Sequence, residues 1–192
     1  MILKFNSSYL SAFKYIIAIL LSTIYACFGY FLNPENTLHL GILFASAFLL
    51  YFIILFTAKD KQETDVLLWV SMAFRLIFIA SIPTLSTDFW RIIWDGKLLL
   101  NGYNPNIYLP SELGSFIEKN EILYSKLTGE HYSFSSGFTL LFSAISGFFS
   151  NFSLVAGVIA LRIPILIAEF ITIKYIRKLL DHFHLPHYHV LW

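Results

Sequence analysis

The chain has 192 residues, of which 57% are hydrophobic and 13% charged, and its formal net charge is +1. A soluble domain of this size has about 45–50% hydrophobic residues and could not bury this much apolar surface in one core. The near-neutral charge excludes a basic nucleic-acid binder, and the lone Cys27 excludes an intrachain disulfide and a cysteine-rich metal site. The composition therefore predicts an all-α integral membrane protein.

Long stretches with few charges predict four membrane-spanning helices, at residues 15–34, 37–58, 66–86 and 154–175. About 20 apolar residues are needed for a helix to cross roughly 30 Å of hydrocarbon. We therefore expect a multi-pass helical bundle in which residues 1–192 form a single membrane domain. Because another apolar run begins at Val190, we expect this domain to be incomplete at its C-terminus.

Between the third and fourth spans we predict an external loop with interfacial helices at residues 86–133, followed by a membrane-dipping or interfacial helix at about 137–149. Lysine and arginine concentrate on the cytoplasmic side of membrane proteins. Four crossings place three basic clusters on one side, namely Lys4 and Lys14, Lys59 and Lys61, and Lys174, Arg177 and Lys178. The N-terminus is therefore predicted to be cytoplasmic.

The densest polar pattern lies just after the third predicted span. Ser86 or Thr87 can cap a helix start, and Asp88 in the first turn suits the helix dipole. The pair Asn101-Gly102 ends the helical pattern, and Asn104-Pro105 favours a turn. We therefore predict a short helix from Asp88 to about residue 100, on the outer surface.

This helix has two predicted faces. At 100° per residue, Asp88, Arg91 and Asp95 fall within about 60° of one another. Trp90 and Trp94 lie on a different face, where they could rest at the level of the lipid headgroups. The polar stripe is either a solvated face or a site that combines a carboxylate base with a cation for phosphate.

The segment from Ser86 to Pro105 resembles the signature of GT-C type membrane glycosyltransferases, in particular bacterial mannosyltransferase-like proteins that use polyprenyl-phosphate sugars. The matching positions are Asp88, Arg91, Trp94, Asp95, Gly96, Gly102, Asn104 and Pro105. Three departures accompany them. Thr87 replaces the first Asp of a pair, Asn106 replaces a Tyr, and the segment 131–137 stands where the family has Tyr-Pro-Pro.

The resemblance implies sugar transfer from a polyprenyl-phosphate donor to a lipid or glycan acceptor, on the external face of the bacterial inner (plasma) membrane. Asp88 would be the catalytic base, and Arg91 would contact the leaving phosphate or orient Asp88. Asp95 would pair with Arg91 or join Asp88 in a divalent-metal site, because some members of the fold use a metal. The alternatives are an inactive fragment and a non-enzymatic membrane protein that binds lipid phosphate.

Polar residues inside the predicted spans have two interpretations. Arg75 is costly in the middle of a span, and either a structural ion pair or a lipid phosphate would satisfy it. Arg162 and Glu169 are seven residues apart and share one helix face, which favours a structural role, and Pro164 predicts a kink. The histidine-rich stretch 182–189 is either a metal site or a polar loop.

Overall fold

The computed structural model describes residues 7–57, 61–127, 131–133 and 135–191. All regular secondary structure in these ranges is helical, which confirms the predicted all-α class for the described part of the chain. The α-helices are α1 (Ser7–Ala26), α2 (Thr37–Thr57), α3 (Lys61–Ile77), α4 (Asp88–Leu100), α5 (Gly114–Lys119), α6 (Glu121–Tyr124), α7 (Gly137–Ser150) and α8 (Leu154–His182). A π-helical turn, Cys27–Phe31, extends α1, and short 3-10 turns occur at Pro110–Glu112 and His187–Leu191.

Three of the described helical stretches are long and apolar enough to cross a membrane, namely Phe13–Phe31, Thr37–Phe56 and Leu154–His182. They coincide with the predicted spans at 15–34, 37–58 and 154–175. The last helix runs beyond residue 175 to His182. The shorter apolar helix α7 matches the element predicted at 137–149, and the loop predicted at 86–133 contains α4, α5 and α6.

The third predicted span, residues 66–86, differs from the observed helix. α3 begins earlier, at Lys61, and ends at Ile77 after 17 residues. At 1.5 Å per residue it is about 25 Å long, and its 17 residues are at the lower limit of the range for a membrane-spanning helix. Pro83 lacks a backbone N–H and disfavours helical conformation in the residue before it, so the helix does not continue to residue 86.

The chain divides into two compact units, one made of residues 1–78 with 168–192 and the other of residues 79–167. In the first unit, α1 and α3 run in the same direction. Lys14 of α1 forms an ion pair of 2.7 Å with Glu63, near the start of α3. At the other end, the Tyr30 hydroxyl donates to the carbonyl oxygen of Ile77 at 2.8 Å.

The C-terminal half of α8 belongs to the same unit and runs opposite to α3. Arg177 forms an ion pair with Asp65, and Glu169 forms one with Arg75. The ion pairs of Lys14 and Arg177 therefore lie near the end where α3 begins. Lys14 and Arg177 belong to two of the three basic clusters predicted to share one side of the membrane, whereas Lys4 and Lys59 lie outside the described residues.

In the second unit, the backbones of α4 and α7 approach each other closely at two glycines. A Cβ atom added to Gly96 would lie 1.8 Å from the carbonyl oxygen of Ser143, and one added to Gly147 would lie 2.5 Å from the carbonyl carbon of Gly96. Neither contact leaves room for a side chain. Gly96 is therefore required by packing within α4, the helix that the sequence predicted from Asp88 to about residue 100.

The core of this unit forms around the buried face of α4. Ile93, Trp94 and Leu98 are at most 1% exposed. They pack against side chains of the following loop and of α8, namely Leu113, Phe116, Leu123 and Val158. The short helices α5 and α6 thus fold over α4 and fix its position.

We predict that Gly147→Ala destabilises the protein, because its methyl group meets backbone rather than a movable side chain. Overpacking of this kind typically costs about 1–3 kcal/mol. The measurement is the thermal unfolding temperature in detergent, with Gly41→Ala as the matched control, since nothing lies within 4 Å of a Cβ at Gly41. Equal unfolding temperatures for the two variants would contradict the close helix contact.

Candidate functional site

The structure fixes both ends of α4 by local hydrogen bonds. The Ser86 hydroxyl accepts from the amide of Asp88 at 3.1 Å, which satisfies one free donor of the first turn. At the other end Gly102 has φ +82°, a left-handed conformation that glycine adopts without strain. The amide of Gly102 donates to Leu99 and that of Tyr103 to Leu98, both at 3.0 Å, and together they form a Schellman motif.

The Asn104-Pro105 turn is held by hydrogen bonds with Ser133 and Ser135. The Asn104 side-chain oxygen accepts from the amide of Asn106 at 3.0 Å, which closes the turn. The amide of Ser133 donates to the Pro105 carbonyl at 3.1 Å, and the Asn106 side chain donates to the Ser135 carbonyl at 3.2 Å. Two departures from the family pattern, Asn106 and the 131–137 segment, therefore contact each other.

Asp95 is the buried centre of the polar stripe. It is 1% exposed, and each of its carboxylate oxygens accepts a hydrogen bond. Arg91 Nε donates to Oδ1 at 3.1 Å, and the Ser133 hydroxyl donates to Oδ2 at 2.5 Å. Arg91 Nη2 also donates to the His131 carbonyl at 2.5 Å. One carboxylate and one guanidinium therefore join α4 to the 131–133 segment.

Burial raises the pKa of the Asp95 carboxyl above its ordinary value, because the charged form loses solvation. The Ser133 hydrogen bond and the charge and hydrogen bond of Arg91 act in the opposite direction. The hydrogen bonds and the charge from Ser133 and Arg91 therefore offset only part of the solvation that the buried carboxylate loses. The ion pair of Asp95 with Arg91 is one of the two arrangements expected for Asp95.

Asp88 is in a different environment at the start of the same helix. It is exposed, and within the described ranges it makes no ion pair. Arg91 directs its Nε and Nη2 toward Asp95 and His131, so no salt bridge orients Asp88. The third guanidinium nitrogen, Nη1, is buried and has no hydrogen-bond partner among the described residues.

The environment of Trp94 contradicts the prediction that it rests at the headgroup level. Trp94 is 0% exposed, and its ring meets Phe116 edge to face at a centroid distance of 5.0 Å. The helix period assigned it to a face correctly, but the period cannot show that α5 and α6 cover that face. Trp90 is half-buried, with its ring 4.3 Å from that of Phe89.

The other marked cations have partners of their own. Arg75 belongs to the first unit and pairs with Glu169, which matches the structural interpretation given for it. Arg162 donates to the Ser81 hydroxyl at 3.2 Å within the second unit. The structure therefore brings Arg91 and Asp95 together, and it pairs Arg75 separately.

Two residues of the site were missed by sequence reasoning. Ser133 and His131 contact Asp95 and Arg91 from about 40 positions away in the chain. The only signal was a polar, serine-rich run in the place of an expected Tyr-Pro-Pro. Such a run indicates hydrogen-bonding capacity but not which buried group it will meet.

No group of three His, Cys, Asp or Glu side chains suited to a metal ion occurs within the described ranges. Asp95 has both carboxylate oxygens engaged by Arg91 and Ser133, so it would have to release them to join Asp88 around a divalent ion. Comparison with models of protein families, with curated proteins and with solved structures found no match to the chain.

We predict that Asp95→Asn and Ser133→Ala each loosen the 131–133 segment, because hydrogen bonds to a charged group contribute about 1.5–3 kcal/mol. Hydrogen exchange of the backbone amide at position 133 should accelerate in both variants. The double variant should lose less free energy of unfolding than the sum of the losses in the two single variants, since both changes remove the same hydrogen bond. Ser125→Ala is the control, because that hydroxyl is exposed and bonds within its own turn. Additive losses would contradict the coupling.

Proposed function

We propose that this protein is a membrane glycosyltransferase of the GT-C kind, which transfers the sugar of a polyprenyl-phosphate sugar to a lipid or glycan acceptor. The observation that carries the proposal is the arrangement at the start of α4. An exposed carboxylate, Asp88, lies one helical turn before a guanidinium whose direction is fixed by Asp95 and His131. This arrangement stands within the Ser86–Pro105 segment that resembles the family.

The proposed chemistry needs one base and one cation. The acceptor hydroxyl oxygen attacks the anomeric carbon, the bond from that carbon to the lipid phosphate oxygen breaks, and the polyprenyl phosphate leaves as an anion. Asp88 takes the proton that the hydroxyl loses, as carboxylate bases do in inverting glycoside chemistry. No acid is required at the leaving group, because phosphate departs already ionised.

Arg91 is our candidate for the leaving phosphate. Guanidinium groups bind phosphate through several N–H donors held in a plane. Two nitrogens of Arg91 are used within the protein, and the buried Nη1 has no hydrogen-bond partner among the described residues, so the proposal requires the atoms that cover Nη1 to move when phosphate binds. Asp95 acts as a positioning residue in this proposal, because it orients the guanidinium rather than touching substrate.

The proposed place of action is the external face of a bacterial plasma membrane. Support comes from the three apolar stretches and from their large exposed apolar side chains, of which Leu38, Leu49 and Phe56 in α2 are examples. Lipid rather than water would surround such side chains in a multi-pass arrangement. The clustering of Lys14 and Arg177 at one end of the first unit supports a cytoplasmic N-terminus.

Cysteine labelling in intact cells tests this topology. In a Cys27→Ala background, a cysteine at Asn36, between α1 and α2, should react with an impermeant reagent added outside. A cysteine at Lys178, near the end of α8, should react only after permeabilisation. Both sites are exposed, so access rather than burial decides the result. Labelling of position 178 from outside would contradict the orientation.

A second candidate is a non-enzymatic protein that binds lipid phosphate. The closed network of Arg91, Asp95 and Ser133 favours it, because the segment that covers these residues replaces the family's Tyr-Pro-Pro stretch. Such a protein would use the same cation but would not need Asp88 as a base.

Asp88→Asn separates the two candidates. Loss of a positioned general base typically lowers turnover about 10²–10⁴-fold. We expect membranes that contain this variant to bind polyprenyl-phosphate mannose normally but to transfer its sugar at that reduced rate. The rate of transfer at matched protein levels is the measurement, with Glu35→Gln as the control for removing an exposed carboxylate elsewhere. Near-normal turnover in Asp88→Asn would end its assignment as the base.

A further inference from the structure

A cavity of about 440 Å³ is lined by Trp90, Ile93 and Lys97 of α4. At 100° per residue, these three residues lie on the side of the helix away from Asp88 and Asp95. The volume of this cavity is within the roughly 300–1,000 Å³ range of small-molecule pockets. It is formed entirely within the second unit, between α4, the loop that contains α5 and α6, and the turn between α7 and α8. Its lining includes Trp90, Ile93, Lys97, Asn120, Ile122 and Leu154.

Lys97 is the charged group that faces this cavity from α4. Its side chain is partly buried, and burial lowers the pKa of its amine because the ammonium form loses solvation. Nζ donates to the Asn120 side-chain oxygen at 3.2 Å. Lys97 makes no ion pair in the part of the chain that the structure describes. An ammonium group has three donors, so N–H groups remain for an anionic ligand.

The other charges at the cavity are more exposed than Lys97. Glu118, Lys119 and Glu121 line its mouth and are open to solvent, where water and salt screen them. Lys97 is set deeper, beside Ile93 and Trp90, where an interaction with an anion is less screened. The cavity therefore favours a negative group at Lys97 despite the acids at its mouth.

Apolar surface surrounds the same opening. Ile122 at its edge is 81% exposed, and Phe148, Phe149 and Phe152 are exposed around the adjacent α7–α8 turn. Aromatic side chains left exposed beside a polar site suit the boundary between headgroups and acyl chains. A ligand that fills this place would combine an anionic group with an apolar body.

We infer that this cavity binds the phosphate group of an amphiphile, with Lys97 as its counter-ion and Asn120 positioning the ammonium group. The apolar part of the ligand lies along Trp90 and Leu154 and extends past Ile122 and the exposed phenylalanines. The site is distinct from the Asp88 stripe, and the inference does not rest on glycosyl transfer.

The test is binding to the purified full chain in detergent, followed by native mass spectrometry. Dihexanoyl phosphatidic acid has both the anionic phosphate group and the apolar body. Dihexanoylglycerol has only the apolar body, and inorganic phosphate has only the anionic group. We expect measurable binding of the first, and affinities at least about tenfold weaker for the other two. Equal binding of dihexanoylglycerol would overturn the role of the anion, and equal binding of inorganic phosphate would overturn the role of the amphiphile.

Variants at Lys97 identify the site. Lys97→Met removes the charge at similar length and should weaken binding of dihexanoyl phosphatidic acid about tenfold or more, whereas Lys97→Arg should retain it. Lys126→Met is the matched control, since Lys126 is exposed in the same loop and does not line the cavity. The unfolding temperature without lipid shows whether each variant is folded. Unchanged affinity in folded Lys97→Met, or loss in folded Lys97→Arg, would overturn the inference.

Discussion

The buried carboxylate of Asp95 is the interaction on which the candidate site depends. A carboxylate that is 1% exposed needs hydrogen-bond partners, and it takes Arg91 from its own helix and Ser133 from a distant segment. The same contacts give Arg91 its direction and bring His131 within hydrogen-bond distance. Because Asp95 is engaged in this way, Asp88 remains as the exposed carboxylate at the start of the stripe.

The second constraint is steric. The backbone contact between Gly96 and Gly147 lets α7 pack directly against α4, while Trp94 packs under the loop helices on another side. These contacts leave two surfaces of α4 for ligands. One bears Asp88, and the other bears Lys97 and lines the cavity. We propose a phosphate-bearing lipid for each, with chemistry only at the first.

Local sequence patterns predicted the limits of a helix but not its surroundings. The limits of α4 were predicted from Ser86, Asp88 and the Asn101-Gly102 pair, because capping and left-handed termination are local properties. The predicted span at residues 66–86 does not match α3, because the apolar sequence continues past Ile77 whereas the helical hydrogen bonding of the backbone ends there. Trp94 was misplaced because helical period gives a direction around the axis, not what lies in that direction.

Sequence alone determined the all-helical class, three of the four predicted long apolar helices, and the short polar helix that carries Asp88, Arg91 and Asp95. These follow from composition and from spacing along one helix, which need no knowledge of distant residues. Tertiary structure decided that Asp95 is buried against Ser133, that Arg75 pairs with Glu169, and that Lys97 faces a cavity. Those contacts join residues far apart in the chain, and only packing determines which of them meet.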